Sequence, residues 1–376
     1  MNVLFCVRHS FHEVKGGMYI QIIKTIKYLE LCGVNCDITD SPYGVDYNKY
    51  DILHLTDLTW IYDNLLYLKE IEKSSFNGPK VLSTIYWPFD DYAENGVSLF
   101  QAVLFKFFGI NGFEFFKSLF KFMLRREFIY LQGCFNSYIS SQRKIVQFCD
   151  LLLPNSNLEM LALKNRLNLK ESDYKIIYNA IDIDVLENIK NTANITRDKN
   201  LILFVARIDS RKNQLGFLKA VFDLPYKIRF IGSPGPNSKK YYAKLLDLGK
   251  KRGNVEFISH VSQEEVFKHM LEAQAHVLTS WIETPGLVSL EAAFAGCNII
   301  VSDKGSVRDY FGDYAYYCDP SESVSIHSAT IQAMNSTPDT RLIDIIKKEY
   351  NWKKTAIDTL TAYNYILNKK VLDDKL

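Results

Sequence analysis

Short apolar, β-branched runs alternate along this chain with stretches whose apolar positions recur every three to four residues. In the first half the runs fall near 2–7, 34–38, 51–54, 80–84, 151–153 and 175–178, with amphipathic helices between most of them, as at 17–31 and 156–167. The second half repeats the alternation. Strands are predicted near 201–206, 227–231, 255–258, 275–279 and 298–301, and helices near 211–222, 239–251, 262–273 and 286–296. Strand–helix alternation of this kind builds parallel sheets covered by helices on both faces. Two such runs predict two doubly wound α/β domains. The polar stretch from Glu187 to Asn200 reads as the linker, and a last helix over 352–370 follows the second sheet.

Composition narrows the class. A length of 376 residues fits two or three domains. A net charge of +2 argues against a general nucleic-acid binder, which carries a clustered basic excess. The cysteines (Cys6, Cys32, Cys36, Cys134, Cys149, Cys297 and Cys318) are odd in number and lack C-x-x-C spacing, so reduced cytosolic thiols are expected. MNVLFCVRHSF reads as a buried strand and not as a secretion signal, and no apolar run reaches about 18 residues. A cytoplasmic protein is the expectation.

One segment stands out. Aromatic residues reach 14% of the chain, and Leu99 to Arg126 holds nine Phe: 100, 105, 107, 108, 113, 115, 116, 120 and 122. The same window holds Lys106, Lys117, Lys121, Arg125 and Arg126, with Glu114 its single acid. Phe116, Leu119, Phe120 and Met123 share a helical face, and Lys117, Lys121 and Arg125 form an i, i+4 ladder beside it. That pattern suits a helix lying in an anionic membrane interface, and equally a helical hairpin whose aromatics are core.

Ligands of open α/β sheets bind outside the carboxyl ends of the strands. After LILFVA come Arg207 and, five residues on, Lys212. Two cations there suit a diphosphate, although a solvated surface pair reads the same way. Ser233-Pro-Gly-Pro236 follows the next strand, but the dinucleotide fingerprint G-x-G-x-x-G is absent, which counts against a nicotinamide enzyme. Within SWIETPGLVSLEAAFAG, Glu283 follows a strand and Gly286, Leu287 and Val288 open a helix carrying Glu291. The helix start is an anion site, and Glu291 could accept two vicinal hydroxyls, or both acids could merely complement the helix dipole.

These segments, with IRFIGSPGP, NVEFISHVSQEEV, IIYNAIDIDVL and ETPGLVSLEAAFAGCNIIVSDKGSVRDY, resemble glycosyltransferase family 4, retaining nucleotide-sugar transferases of the GT-B fold. The resemblance implies two Rossmann-like domains with parallel sheets facing across a cleft, and a terminal helix returning to the first domain. Residues 1–186 would form an acceptor domain with a helical insertion near 97–147, residues 187–350 a donor domain, and 351–376 the returning helix. It implies that Arg207 and Lys212 neutralise the donor diphosphate. Glu283 and Glu291 would be the two acids of the family's E-x₇-E motif, the first near the transferred sugar, the second on the ribose. Gly286, Leu287 and Val288 would offer backbone donors to phosphate, Ile258 to Val261 would pack the nucleobase, and Gly16-Gly17 would let backbone approach the donor phosphates.

Three positions depart from the family. Tyr86-Trp87 stands where many members carry a His, Asp309 ends a segment that usually ends in Glu, and Asn179-Ala180 replaces Asn-Gly. The resemblance implies a nucleoside-diphosphate sugar (UDP- or GDP-linked) as donor and a glycan, lipid-linked in many relatives, as acceptor. It implies no cofactor and no metal, and Asp182-Ile-Asp184 is read as part of the domain-crossing segment, not as a metal site. The composition and the insertion suggest bacterial surface polysaccharide (O-antigen or capsule) assembly on the inner face of the cytoplasmic membrane, with Lys117, Phe120, Lys121 and Arg125 as membrane contacts. Competing readings are a nucleotide-sugar epimerase of related architecture and a non-catalytic glycan-binding pseudo-transferase.

Overall fold

The structure is a computed structural model that describes residues 1–13, 16–96, 99–125, 137–170, 172–235, 237–259 and 261–373. It divides into two units. One comprises Met1–Asp90, Leu99–Asn179 and Trp352–Leu376; the other comprises Asp91–Ser98 and Ala180–Asn351. The change of unit at Asn179 precedes the boundary expected at 186. Residues Ile183–Thr192, which overlap the polar linker expected from Glu187 onward, form a helix that buries Leu186 and Ile189. The polar residues between those two positions hid a helical period in the sequence.

The N-terminal unit holds a parallel five-stranded sheet: β1 (Asn2–Cys6), β2 (Asn35–Thr39), β3 (Ile52–Thr56), β4 (Lys80–Ser83) and β5 (Leu151–Leu153), in the order β2-β1-β3-β4-β5. The expected strand at 175–178 is not a ladder. Lys175 and Ile177 donate to the carbonyls of Leu152 and Pro154, and only Tyr174 forms an isolated bridge.

Two apolar clusters sandwich this sheet. One gathers Leu53, Leu55, Leu82 and Leu152 with Tyr67 and Leu68 of the Ile61–Lys73 helix and Ile145 of the Tyr138–Phe148 helix. The other joins Val3, Phe5, Val81 and Leu151 to Ile22 and Leu29 of the Gly17–Leu31 helix. It also takes in Ala356, Ala362, Tyr363 and Ile366 of the Trp352–Asp373 helix. Burying each large apolar side chain contributes about 1.5–3 kcal/mol. The terminal helix therefore belongs to the N-terminal unit's core. One polar link ties it to the sheet: Tyr363 Oη lies 2.5 Å from Nδ1 of His54, whose Nε2 is 2.8 Å from Ser83 Oγ. Burial holds His54 far below its ordinary pKa, at about 3, so the ring stays neutral.

The aromatic segment forms the Leu99–Arg125 helix, kinked at Gly109, whose φ is 59°. One side is core: Phe105, Glu114 and Ser118 are buried, and Ser118 Oγ is 2.8 Å from Tyr62 Oη. The other side exposes Phe107, Phe108, Phe116, Phe120, Met123 and Leu124. One face of this helix is thus core, as one of the two sequence readings expects, and the opposite face is apolar and exposed. Lys117 pairs with Glu114, and Lys121 Nζ lies 4.6 Å from the Trp60 ring centroid. Arg125 ends the helix, and Arg126 lies outside the described residues.

The second unit carries a parallel six-stranded sheet in the order β11-β10-β9-β6-β7-β8. Its strands are β6 (Asp198–Val205), β7 (Lys227–Ile231), β8 (Val255–Ile258), β9 (Ala273–Leu278), β10 (Asn298–Ser302) and β11 (Ala315–Cys318). All of β9 and β10 is buried, which accounts for the apolar run Ile299–Val301 of β10, while β9 buries Gln274 and His276 among its apolar residues. Strand β11, unforeseen in the sequence, has no such run: three of its four residues are only half-buried at the sheet edge.

Tyr363→Phe leaves His54 Nδ1 without its partner inside the core. The expected cost is about 1–3 kcal/mol, read as a lowered urea midpoint with an unchanged slope.

Candidate donor site

The sheet of the second unit delivers four loops to one edge. After β6 the chain runs through Ala206 to Asp209, which caps a 3₁₀ turn, Ser210–Lys212. One carboxylate oxygen of Asp209 accepts the Lys212 backbone N–H at 3.2 Å, and the other accepts Arg207 Nε at 2.8 Å. A single carboxylate therefore orients both cations named from the sequence. The turn then reverses through Asn213, whose left-handed φ of 60° is allowed by its short polar side chain.

Lys212 points across to the loop after β9. Its Nζ lies 2.5 Å from Glu283 Oε2, and both side chains are largely withdrawn from water, at 13% and 14% exposed. Arg207 is turned outward, half of its side chain in solvent. The two cations thus do different work, one half-buried against a carboxylate and one exposed beside it. Trp281 N–H donates to Arg211 O at 2.9 Å, which ties the two loops through their backbones.

Glu283 is clamped from the other side by the loop after β10. Ser306 N–H donates to Glu283 O at 3.1 Å, and Glu283 and Gly305 form an isolated parallel bridge. Gly305 has a φ of 94°, and a Cβ there would stand 1.8 Å from Glu283 O. Only glycine fits. Asp309 follows on the short Val307–Phe311 helix.

Gly286, with a φ of 72°, caps the Leu287–Ala295 helix. Ser289 and Leu290 N–H turn back to Gly286 O, so Leu287 and Val288 lie in the first turn, where amides have no acceptor within the helix. One turn further in, Glu291 accepts from Gln263 Nε2 at 3.2 Å. Packing pushes its carboxyl up to about 7; the Gln263 hydrogen bond opposes the rise and the neighbouring Asp182 adds to it. Ile258 ends β8 and Val261 follows it, both half-buried, while His260 between them lies outside the described residues.

The remaining sequence candidates lie elsewhere. Gly16 and Gly17 belong to the N-terminal unit, where Gly16 caps the Gly17–Leu31 helix. Tyr86 is also in that unit and is buried; its N–H donates to Glu159 Oε1 at 2.9 Å, and burial pushes its hydroxyl pKa up, so it is no base. Among the described residues no group of three His, Cys, Asp or Glu side chains is gathered as a metal ion would need. Asp209 was missed in the sequence, although an Asp three residues before Lys212 is the signature of a capped turn.

The profile of the family described as glycosyl transferases group 1 matches residues 186–356. The chain is 24% identical over 175 residues to O-antigen chain mannosyltransferase B of Escherichia coli, covering 44% of this chain and 45% of that protein. It is 27% identical over 191 residues to the N-acetylgalactosamine-N,N'-diacetylbacillosaminyl-diphospho-undecaprenol 4-alpha-N-acetylgalactosaminyltransferase of Campylobacter jejuni, covering 49% and 51%. The chain spans about half the length of the curated relatives it matches. Sucrose-phosphate synthase from Thermosynechococcus elongatus superposes on 98% of this chain and 100% of its own, with a TM-score of 0.74 at 14% identity, a likeness of fold. Residues 186–356 are therefore similar to the glycosyl transferases group 1 family, within a chain whose two parallel sheets make the GT-B fold.

Proposed function

We propose that the chain is a retaining glycosyltransferase that moves a sugar from a UDP- or GDP-sugar to a lipid-linked glycan in the assembly of a bacterial surface polysaccharide. The observation that carries this reading is the half-buried Lys212–Glu283 pair beside the first turn of the Leu287–Ala295 helix. A departing nucleoside diphosphate gains negative charge as the bond from its oxygen to the anomeric carbon breaks. Fixed cations and amides meet that charge without reorganising. Lys212 and Arg207 take the diphosphate, with Leu287 and Val288 amides adding to the charge. In this reading the phosphate oxygens share Lys212 with Glu283, which frees one carboxylate oxygen to face the sugar. Glu291 accepts the ribose hydroxyls. The bond to the acceptor forms on the face from which the diphosphate leaves, so configuration is kept and no protein nucleophile is required. No metal is required either, because Lys212 and Arg207 supply the positive charge.

The acceptor class is supported by the diphospho-undecaprenol-linked substrate in the name of the Campylobacter relative and by the Leu99–Arg125 helix. Its exposed Phe107, Phe108, Phe116, Phe120, Met123 and Leu124 form an apolar face edged by Lys106, Lys117 and Lys121. Basic flanks and an apolar face suit a helix lying in the headgroup layer of an anionic bilayer. No described helix is long and apolar enough to cross a membrane.

Lys212→Ala is expected to abolish the thermal stabilisation given by UDP- or GDP-sugars and to lower transfer by two orders of magnitude or more, as loss of a half-buried charge partner does. EDTA is expected to leave transfer intact. Full transfer by Lys212→Ala would remove the basis of the assignment.

Glu291 sets a pH dependence. Its carboxyl is raised to about 7 without nucleotide, and ribose hydroxyls bind the ionised form, so binding expels a proton below that pH. Nucleotide affinity is expected to fall about tenfold per unit as pH drops below about 7, and to become flat in Glu291→Gln. Calorimetry across pH 5.5–8 reads the slope.

The membrane reading predicts that the chain sediments with phosphatidylcholine vesicles containing phosphatidylglycerol, and that Phe120→Asp with Met123→Asp abolishes this. Equal sedimentation of both proteins overturns it.

A further inference from the structure

The N-terminal sheet also delivers its loops to one edge, and one cation there is poorly neutralised. Arg8 follows β1. Its guanidinium carbon lies 5.4 Å from the Trp60 ring centroid, and Nη1 lies 3.9 Å from Asp57 Oδ2, the outer limit of an ion pair. Its Nε is buried and has no hydrogen-bond partner among the described residues, while the side chain as a whole is 18% exposed. A buried donor left unpaired keeps its full desolvation cost, which a ligand acceptor would relieve.

The neighbouring carboxylates are committed. Asp63 accepts from His9 N–H at 3.1 Å, lies 3.1 and 3.2 Å from His9 Nδ1, and accepts from Trp60 Nε1. Asp57 accepts the backbone N–H of Thr59 at 3.1 Å and also its hydroxyl. Its backbone stands at a φ of 62°, outside the usual region for a side-chain-bearing residue, at the loop that follows β3. Strain of this kind gathers at binding sites.

A second cation shares the indole. Lys121, from the Leu99–Arg125 helix, sits 4.6 Å from the Trp60 centroid and 5.7 Å from that of Tyr62. Arg8 and Lys121 are therefore no further apart than the sum of their distances to the ring. Two like charges held against one indole repel, and a dianion relieves that repulsion. The planar fork of Arg8 and the point charge of Lys121 complement phosphoryl oxygens.

We propose that Arg8 and Lys121, seated on Trp60, bind a phosphoryl group of the acceptor. The proposal rests on the transferase reading and deepens it. The acceptor's phosphate or diphosphate is anchored where the strand edge meets the apolar helix face, and Arg8 selects acceptors that carry it.

Indole N–H resonances test this locally. Trp60 is assigned by its absence in Trp60→Phe, and Trp281 reports the donor unit in the same spectrum. Inorganic pyrophosphate is expected to shift the Trp60 resonance saturably. Arg8→Gln and Lys121→Gln should each weaken that titration about tenfold or more, with Arg8→Lys partly restoring it. A Trp60 resonance that stays still, or that titrates equally in Lys121→Gln, a change on the accessible helix, overturns the subsite. Movement of Trp281 alone does so while leaving the donor assignment standing. Sedimentation with phosphatidylcholine vesicles containing phosphatidic acid separates the sources. Competition by pyrophosphate supports a lipid-borne phosphate, and its absence supports a phosphoryl acceptor free in water.

Discussion

Parallel pairing is the constraint on which both units depend. When every strand runs the same way, each hands its chain to a loop at the same edge, and polar residues gather there because the faces are covered by helices. In the second unit this brings together Asp209 after β6, Glu283 after β9 and Gly305 after β10, residues separated by up to 96 positions in the sequence. In the first it brings together Arg8 after β1, Asp57 after β3 and Tyr86 after β4. The helices behind supply the apolar burial that holds the loops in place.

The two edges handle charge differently. At the edge of the second unit, Lys212 and Glu283 neutralise each other largely away from water, an arrangement whose desolvation cost is offset by a short contact and by the backbone clamp on Glu283. At the other edge the backbone carries the tension. Asp57 and Ile85 both adopt left-handed conformations, and such residues cost on the order of 1–3 kcal/mol each. Ile85 is held between Thr84 and Tyr86, whose hydroxyl and N–H both donate to Glu159, while Asn155 N–H donates to the second oxygen of that carboxylate. Burial pushes the Glu159 carboxyl up to about 7 against the pull of those hydrogen bonds. One carboxyl therefore anchors a strained β-branched residue.

Much of this was legible in sequence, and the misses share a cause. Strands buried on both faces announce themselves as apolar runs, so β1, β6, β7 and β10 were evident. Edge strand β11 was not, because its half-buried Tyr316 and Tyr317 give neither a run nor an alternation. The stretch at 175–178 has the apolar look of a strand, yet it lies along β5 through single hydrogen bonds. Candidate residues at spacings that resemble the family's, Arg207, Lys212, Glu283 and Glu291, could be named. Their pairing could not, since nothing in the spacing says that Lys212 meets Glu283 while Arg207 turns outward. The aromatic segment gave two readings because composition does not say which face of a helix meets the core.

The docking of the Trp352–Asp373 helix has a consequence for synthesis. Its residues complete the cluster around Val3, Phe5 and Ile22, and Tyr363 is the hydrogen-bond partner of His54, 309 positions earlier. The first unit to be translated therefore cannot close its core until nearly the whole chain has emerged. The second unit, contiguous from Ala180 to Asn351 apart from a short piece at Asp91–Ser98, has almost all of its strands and helices available sooner. On the ribosome the natural order is inverted: the later half can consolidate first, and the N-terminal sheet waits, with one face covered only in part by the Gly17–Leu31 helix, for the Trp352–Asp373 helix to arrive.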